Sequence, residues 1–181
     1  MLDMRHEPYP LHPSAEPLGF LIGTWRGRGS GVFHSVDDFL FEEEITFSHI
    51  GRPWLLYQQR AWSAADQAPL HTEVGFWRMV DGDGIVNAFI ALTAGVDFSE
   101  GRLAGTSLEL TSRLTAMADG VEQVLHLTRE YLVESDTLDY LVMMETDEQP
   151  RVRHLEARLH RVVWAPGPKV STNPLRGRPD V

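Results

Sequence analysis

The sequence predicts an all-β domain, on three observations. Apolar and polar residues alternate with a period of two over most of the chain. Turn residues recur between the alternating runs. No helical periodicity persists beyond about two turns. Phe39, Phe41, Ile45 and Phe47 share one parity, with Glu42, Glu44, Thr46 and Ser48 on the other. Leu108 and Leu110 alternate with Glu109 and Thr111, and Leu125 and Leu127 with His126 and Thr128. Leu138, Tyr140, Val142 and Met144 again share a parity. Gly51-Arg52-Pro53, Asp81-Gly82-Asp83-Gly84, Asp119-Gly120 and Gln149-Pro150 separate these runs. The result is roughly ten strands joined by tight turns. That means a sandwich or an antiparallel up-and-down barrel, and the pattern alone does not choose between them.

The elements follow in chain order. Residues 1–16 read as an extended, proline-broken lead without the apolar core of a secretory signal. Ser14 to Phe20 is expected to form one short helix, with Ser14 as its cap and Glu16 in its first turn. Gly23-Thr24-Trp25-Arg26-Gly27-Arg28-Gly29 then opens the first strand. A tryptophan can plug the narrow end of a small barrel while glycines let the strand bend around it, which favours the barrel. The body spans residues 17–163, and 164–181, rich in Pro, Gly and Arg, reads as a flexible tail.

Composition narrows the functions. The 181 residues suit one domain, and a hydrophobic fraction of 43% supports a packed interior. The net charge of -10 argues against binding nucleic acid or an anionic membrane. There is no cysteine, so disulfides, thiolate metal sites and cysteine nucleophiles are excluded. This composition and the lack of a long apolar run fit a cytoplasmic protein. No phosphate-cradling loop, Gly-x-Ser-x-Gly elbow or His-Glu-x-x-His helix occurs.

Gly23-x-Trp25-x-Gly27-x-Gly29-x-Gly31 is more specific than its first two residues. In order after it stand Phe41-Glu42-Glu43-Glu44 and Phe47-Ser48-His49-Ile50-Gly51-Arg52-Pro53. Pro69-Leu70-His71-Thr72-Glu73-Val74-Gly75-Phe76-Trp77-Arg78 follows. Gln149-Pro150 and His154-Leu155-Glu156-Ala157-Arg158-Leu159 complete the series. Together these resemble the nitrobindin family over about residues 17–163. The resemblance implies a ten-stranded barrel of the lipocalin and fatty-acid-binding-protein type. It implies one haem b per chain, held near the open end by a histidine of the last strand. It also implies nitric oxide binding and isomerisation of peroxynitrite to nitrate.

By the same resemblance, His154 is the iron ligand, and Leu70, His71, Leu92 and Met144 line the haem pocket. Ser35 and Arg129 stand at its mouth, where they would meet the propionates. Read from periodicity alone, His154 is a surface histidine, because Leu155, Ala157 and Leu159 lie on the opposite parity. Ligation therefore requires a twist or bulge near Gln149 to Arg153. Arg129 reads equally as an exposed partner for Glu109 or Glu122. Phe33-His34-Ser35 departs from the family's Tyr-Pro-Thr. His34 adds an ionisable group near the mouth, able to meet a propionate, to ligate iron or to do neither. Leu92 replaces a common glutamine. Of Glu42, Glu43 and Glu44, one is expected to turn inward from a solvated face. Arg161 is expected to pack on Trp25. The principal reading is a haem enzyme. The alternative is a haem-free carrier of a small apolar ligand, kept open by the departures at residues 33, 34 and 92. A homodimer is possible.

Overall fold

The computed structural model describes residues 9–80 and 84–163. Ten strands follow one short helix: β1 (Gly23–Phe33), β2 (Val36–Ser48), β3 (Leu55–Ser63), β4 (Pro69–Val80), β5 (Ile85–Leu92), β6 (Gly95–Ala104), β7 (Ser107–Met117), β8 (Val124–Glu134), β9 (Thr137–Thr146) and β10 (Val152–Arg161). Each strand pairs antiparallel with the next, and β1 pairs with β10, so the sheet closes. The fold is a barrel and not a sandwich. No helix among the described residues is long and apolar enough to cross a membrane. The expected tail, 164–181, lies outside the described residues, as do residues 1–8 of the lead and 81–83 of the β4–β5 turn.

Alternation sets the inside and the outside. Phe41, Ile45 and Phe47 of β2 are buried, as are Leu108 and Leu110 of β7 and Leu138, Tyr140, Val142 and Met144 of β9. Leu125 breaks the pattern. The register slips between Val124 and His126, so Leu125 is the extra residue of a bulge and is 55% exposed, while Leu127 is buried. In the acidic run, Glu43 turns inward. Glu42 faces out to Arg28, and Glu44 is clamped by Arg26 and Arg60.

The glycines of β1 serve close approach. A Cβ added at Gly27 would overlap the carbonyl oxygen of Arg158 across the β1–β10 pairing. At Gly29 it would overlap the Phe41 ring and Ala157. The bare strand lets β10 and the β2 aromatics cross close over it.

One end is plugged. Residues Pro13–Leu21 form a 3-10 helix that buries Ala15, Leu18 and Leu21. Its cap is His12 rather than Ser14: the His12 ring accepts from the Ser14 N–H. Pro17 inside the segment lacks the N–H that an α-helix needs there, so the tighter form prevails. Trp25 is fully buried beneath it and donates its indole N–H to the Leu21 carbonyl at 2.8 Å. The Arg161 guanidinium lies 3.9 Å from the Trp25 ring centre and donates to the Phe20 and Ile22 carbonyls. At the opposite end, the antiparallel meander gathers Phe33, Pro69, Leu92, Val124, Thr146 and Val152 on one rim.

Candidate functional site

His154 owes its orientation to a bulge. Arg153 pairs with Met143, and Leu155 pairs with Val142, so His154 is the inserted residue. The insertion lies just past the expected span of 149–153. It lets Leu155, Ala157 and Leu159 keep their inward parity while His154 also turns from the outer face. The ring is partly buried and meets Phe33 edge-on, with centroids 5.8 Å apart.

The hydrogen bond fixes the tautomer. Nδ1 of His154 lies 2.8 Å from the Val32 carbonyl oxygen, which can only accept. Nδ1 therefore carries the proton, and Nε2 keeps its lone pair. Among the described residues Nε2 has no hydrogen-bond partner. Burial holds the His154 pKa below its ordinary 6.5 despite the Val32 contact, and His71 and Arg129 push the same way. The ring is thus neutral at pH 7.

The other expected residues divide. Met144 is buried on the inner face of β9, and Leu92 is partly buried at the end of β5. His71, at the start of β4, reaches Glu73 at 3.2 Å and the Thr93 hydroxyl at 3.4 Å. Leu70 is the extra residue where the β3–β4 register slips, and it is 45% exposed on the rim. Ser35 lies exposed in the β1–β2 turn. These five belong to the same end of the barrel as His154.

Arg129 does not lie at the mouth, and it is no exposed partner of Glu109 or Glu122. It projects into the barrel interior, 4% exposed, because it shares the inward parity of Leu127 and Tyr131. Its guanidinium meets Asp97 at 2.5 Å and Glu73 at 3.5 Å. Two carboxylates already neutralise it, so its charge is committed inside the barrel.

Arg129 belongs to a polar belt across the middle of the barrel that sequence reasoning missed. The Tyr57 hydroxyl shares its one proton between Gln59 Oε1 and Glu73 Oε2, Gln59 donates to Glu43, and Ser99 donates to Asp97. Burial would raise the Glu73 pKa, but Arg129 and His71 overcome it and hold the group at about 2. Burial pushes Glu43 up to about 7. The signal was present in parity: Glu43 lies in phase with Phe41 and Ile45, and Glu73 with Trp77. The Val32 carbonyl is main chain and leaves no trace in a residue pattern.

The donor set at the rim suits a haem iron. A neutral imidazole presents one free nitrogen, its other nitrogen is anchored to a backbone carbonyl, and an aromatic ring and apolar side chains adjoin it. What the rim lacks is Arg129 as a partner for the propionates.

Comparison with known proteins identifies the relatives of the barrel. Residues 14–161 match the family model described as the THAP4-like, heme-binding beta-barrel domain. A peroxynitrite isomerase 1 of Mycolicibacterium paratuberculosis is 38% identical over 159 residues, 85% of this chain and 98% of that one. A peroxynitrite isomerase of Frankia casuarinae is 38% identical over 164 residues, 84% of this chain and 87% of that one. The crystal structure of Rv2717c from M. tuberculosis superposes with a TM-score of 0.78 at 33% identity. The match covers 85% of this chain and 100% of that one.

Proposed function

We propose that this chain, which belongs to the nitrobindin family of THAP4-like, heme-binding β-barrel domains, is a haem-dependent peroxynitrite isomerase whose iron ligand is His154. The observation that carries the assignment is the tautomer of His154, with Nδ1–H given to Val32 and Nε2 free. Bound haem would supply a coordination position at which the peroxy bond of peroxynitrite rearranges to give nitrate, and the same position suits nitric oxide.

The chain's own residues prepare that position. Val32 fixes the ring orientation and makes the imidazole a better donor. Phe33 restricts its rotation, and the depressed pKa keeps it unprotonated. Met144 and Leu92 offer apolar surface, with Leu70, His71 and Ser35 on the rim. No side chain is assigned as an obligatory acid or base. The haem-free carrier fits less well. A fatty-acid carboxylate entering the barrel would meet Glu43, Glu73 and Asp97, while the interior Arg129 is already engaged.

Titration of the purified chain with haemin tests the assignment. A Soret band that saturates at one haem per chain, and that His154→Ala abolishes while the fold persists by circular dichroism, is the expected result. An unchanged band in His154→Ala would refute it.

For the homodimer, the outer face of β4–β7 is the surface we assign to a second copy. Val74, Phe76, Phe89, Val96 and Leu114 are 43–61% exposed there, around a shallow apolar groove. A row of both charge signs, Arg78, Glu100 and Arg113, borders it, so two copies can pair charges across a two-fold axis despite their net charge. Sedimentation should show a dimer that Phe76→Lys dissociates, and a wild-type monomer at high concentration would end the idea.

A further inference from the structure

Three connections meet beside the mouth, and they bring together side chains that the haem reading does not use. His34 comes from the β1–β2 turn, Glu122 from the β7–β8 loop and Glu148 from the β9–β10 turn. One ligand atom from each lies within 4.8 Å of the other two. His34 Nε2 is 3.0 Å from Glu122 Oε2. Thr146 donates to the other Glu122 oxygen and also accepts from the Glu148 and Gln149 N–H groups, which ties the β7–β8 loop to the β9–β10 turn.

A second observation points to a ligand. Gln149 is 6% exposed, and its Oε1 accepts from the His34 backbone N–H at 2.8 Å. That bond fixes which end of the amide is oxygen. The other end, Nε2, is buried without any partner. A buried amide donor beside a histidine and two carboxylates lacks an acceptor, and oxygen bound to a cation would be one.

We propose that His34, Glu122 and Glu148 form a binding site for a first-row divalent cation of the zinc class, with Gln149 donating to a water on that cation. One imidazole and two carboxylates make a nitrogen–oxygen donor set that suits zinc and leaves a fourth, open position. Ligands around a tetrahedral zinc at roughly 2.0–2.2 Å stand about 3.5 Å apart. The exposed Glu148 side chain has the freedom to close the remaining gap. The site is separate from His154 yet linked to it. The Phe33 ring touches both His34, at 4.9 Å between centroids, and His154. A cation that pins the β1–β2 turn would therefore also steady Val32 and Phe33 around the haem ligand. That last consequence rests on the proposed function; the cation site does not.

Calorimetric titration of Zn²⁺ into the full-length, metal-stripped chain tests the site without using activity. Co²⁺ provides a visible-absorption readout of the same coordination. One ion per chain is expected. His34→Ala and Glu148→Gln should each weaken binding at least about tenfold, while His154→Ala binds as wild type does. Absence of millimolar or tighter binding would overturn the proposal. So would binding that survives both rim substitutions, or binding that only His154→Ala removes. Because His154→Ala abolishes haem binding and should spare Zn²⁺, failure of one reading is separable from failure of the other.

Discussion

Replacing Glu43 by Gln should stabilise the barrel, and by more as the pH rises. Glu43 is 2% exposed, and one of its oxygens has no hydrogen-bond partner. Burial is the largest influence on its acidity and outweighs the contacts with Tyr140 and Gln59, so the folded carboxyl titrates at about 7. In the unfolded chain it titrates near its ordinary 4.5. Below 4.5 the group is neutral in both states and costs nothing. Between 4.5 and 7 only the unfolded chain releases the proton, so stability falls as pH rises, and the loss is complete above 7. The difference corresponds to about 3 kcal/mol. Gln cannot ionise, keeps an oxygen for Gln59 and offers an amide to Tyr140, whose hydroxyl is also without a partner. Urea melts of both proteins at pH 4.5 and pH 8.5 give the measurement. The variant should gain up to about 3 kcal/mol over wild type between those pH values. A gap that does not change with pH would refute the reasoning, because a buried carboxyl with an ordinary pKa would then be the better description.

Arg129→Met should cost about 3–5 kcal/mol, since it strands Asp97 and Glu73 inside the barrel. The loss should shrink in acid as Glu73, now without its cation, takes up a proton, and denaturant melts across pH would show it. Gly27→Ala should destabilise by about 3 kcal/mol or more, because the new methyl meets main chain that has no room to move. Gly31→Ala should cost less, because the atoms nearest its added carbon belong to the movable Phe39 ring and not to main chain; thermal melts of the pair compare the two. Arg161→Met should cost about 2–4 kcal/mol in a urea melt by removing charged hydrogen bonds to Phe20 and Ile22 and the cation over Trp25. A shift in Trp25 fluorescence should accompany that loss.

Period-two alternation made the strands legible, and Gly23-x-Trp25 made the plugged end legible. The bulges were less so. A bulge inserts one residue and reverses the parity beyond it, and nothing in the side chains of Arg153, His154 and Leu155 marks which is the insertion. His154 could be anticipated to need such a slip, but its position comes from the pairing with β9. Leu125 misled for the same reason. The interior belt was readable in principle, since Glu43, Glu73 and Arg129 are in phase with buried neighbours. A charge in an apolar run is ordinarily assigned to solvent, and only its partners across the barrel make burial tolerable. Those partners are remote in sequence: Arg129 is matched by Asp97 and Glu73.

The pairing of β1 with β10 has a consequence for how the molecule forms. Every other pairing in the barrel joins consecutive strands, so each is a hairpin that can zip locally. The β1–β10 seam joins residues more than 120 positions apart, from Gly31 with Leu155 to Trp25 with Arg161. Closing so long a loop costs about 3 kcal/mol more chain entropy than closing a five-residue turn. The seam is therefore expected to form late, and slowly for a chain of this size. Until it does, β1 and β10 are open edges able to pair with other chains. The late seam is also the one across which His154 meets the Val32 carbonyl. On the proposed role of His154 as haem ligand, haem uptake during refolding should follow closure of the barrel, and its rate would read out that step.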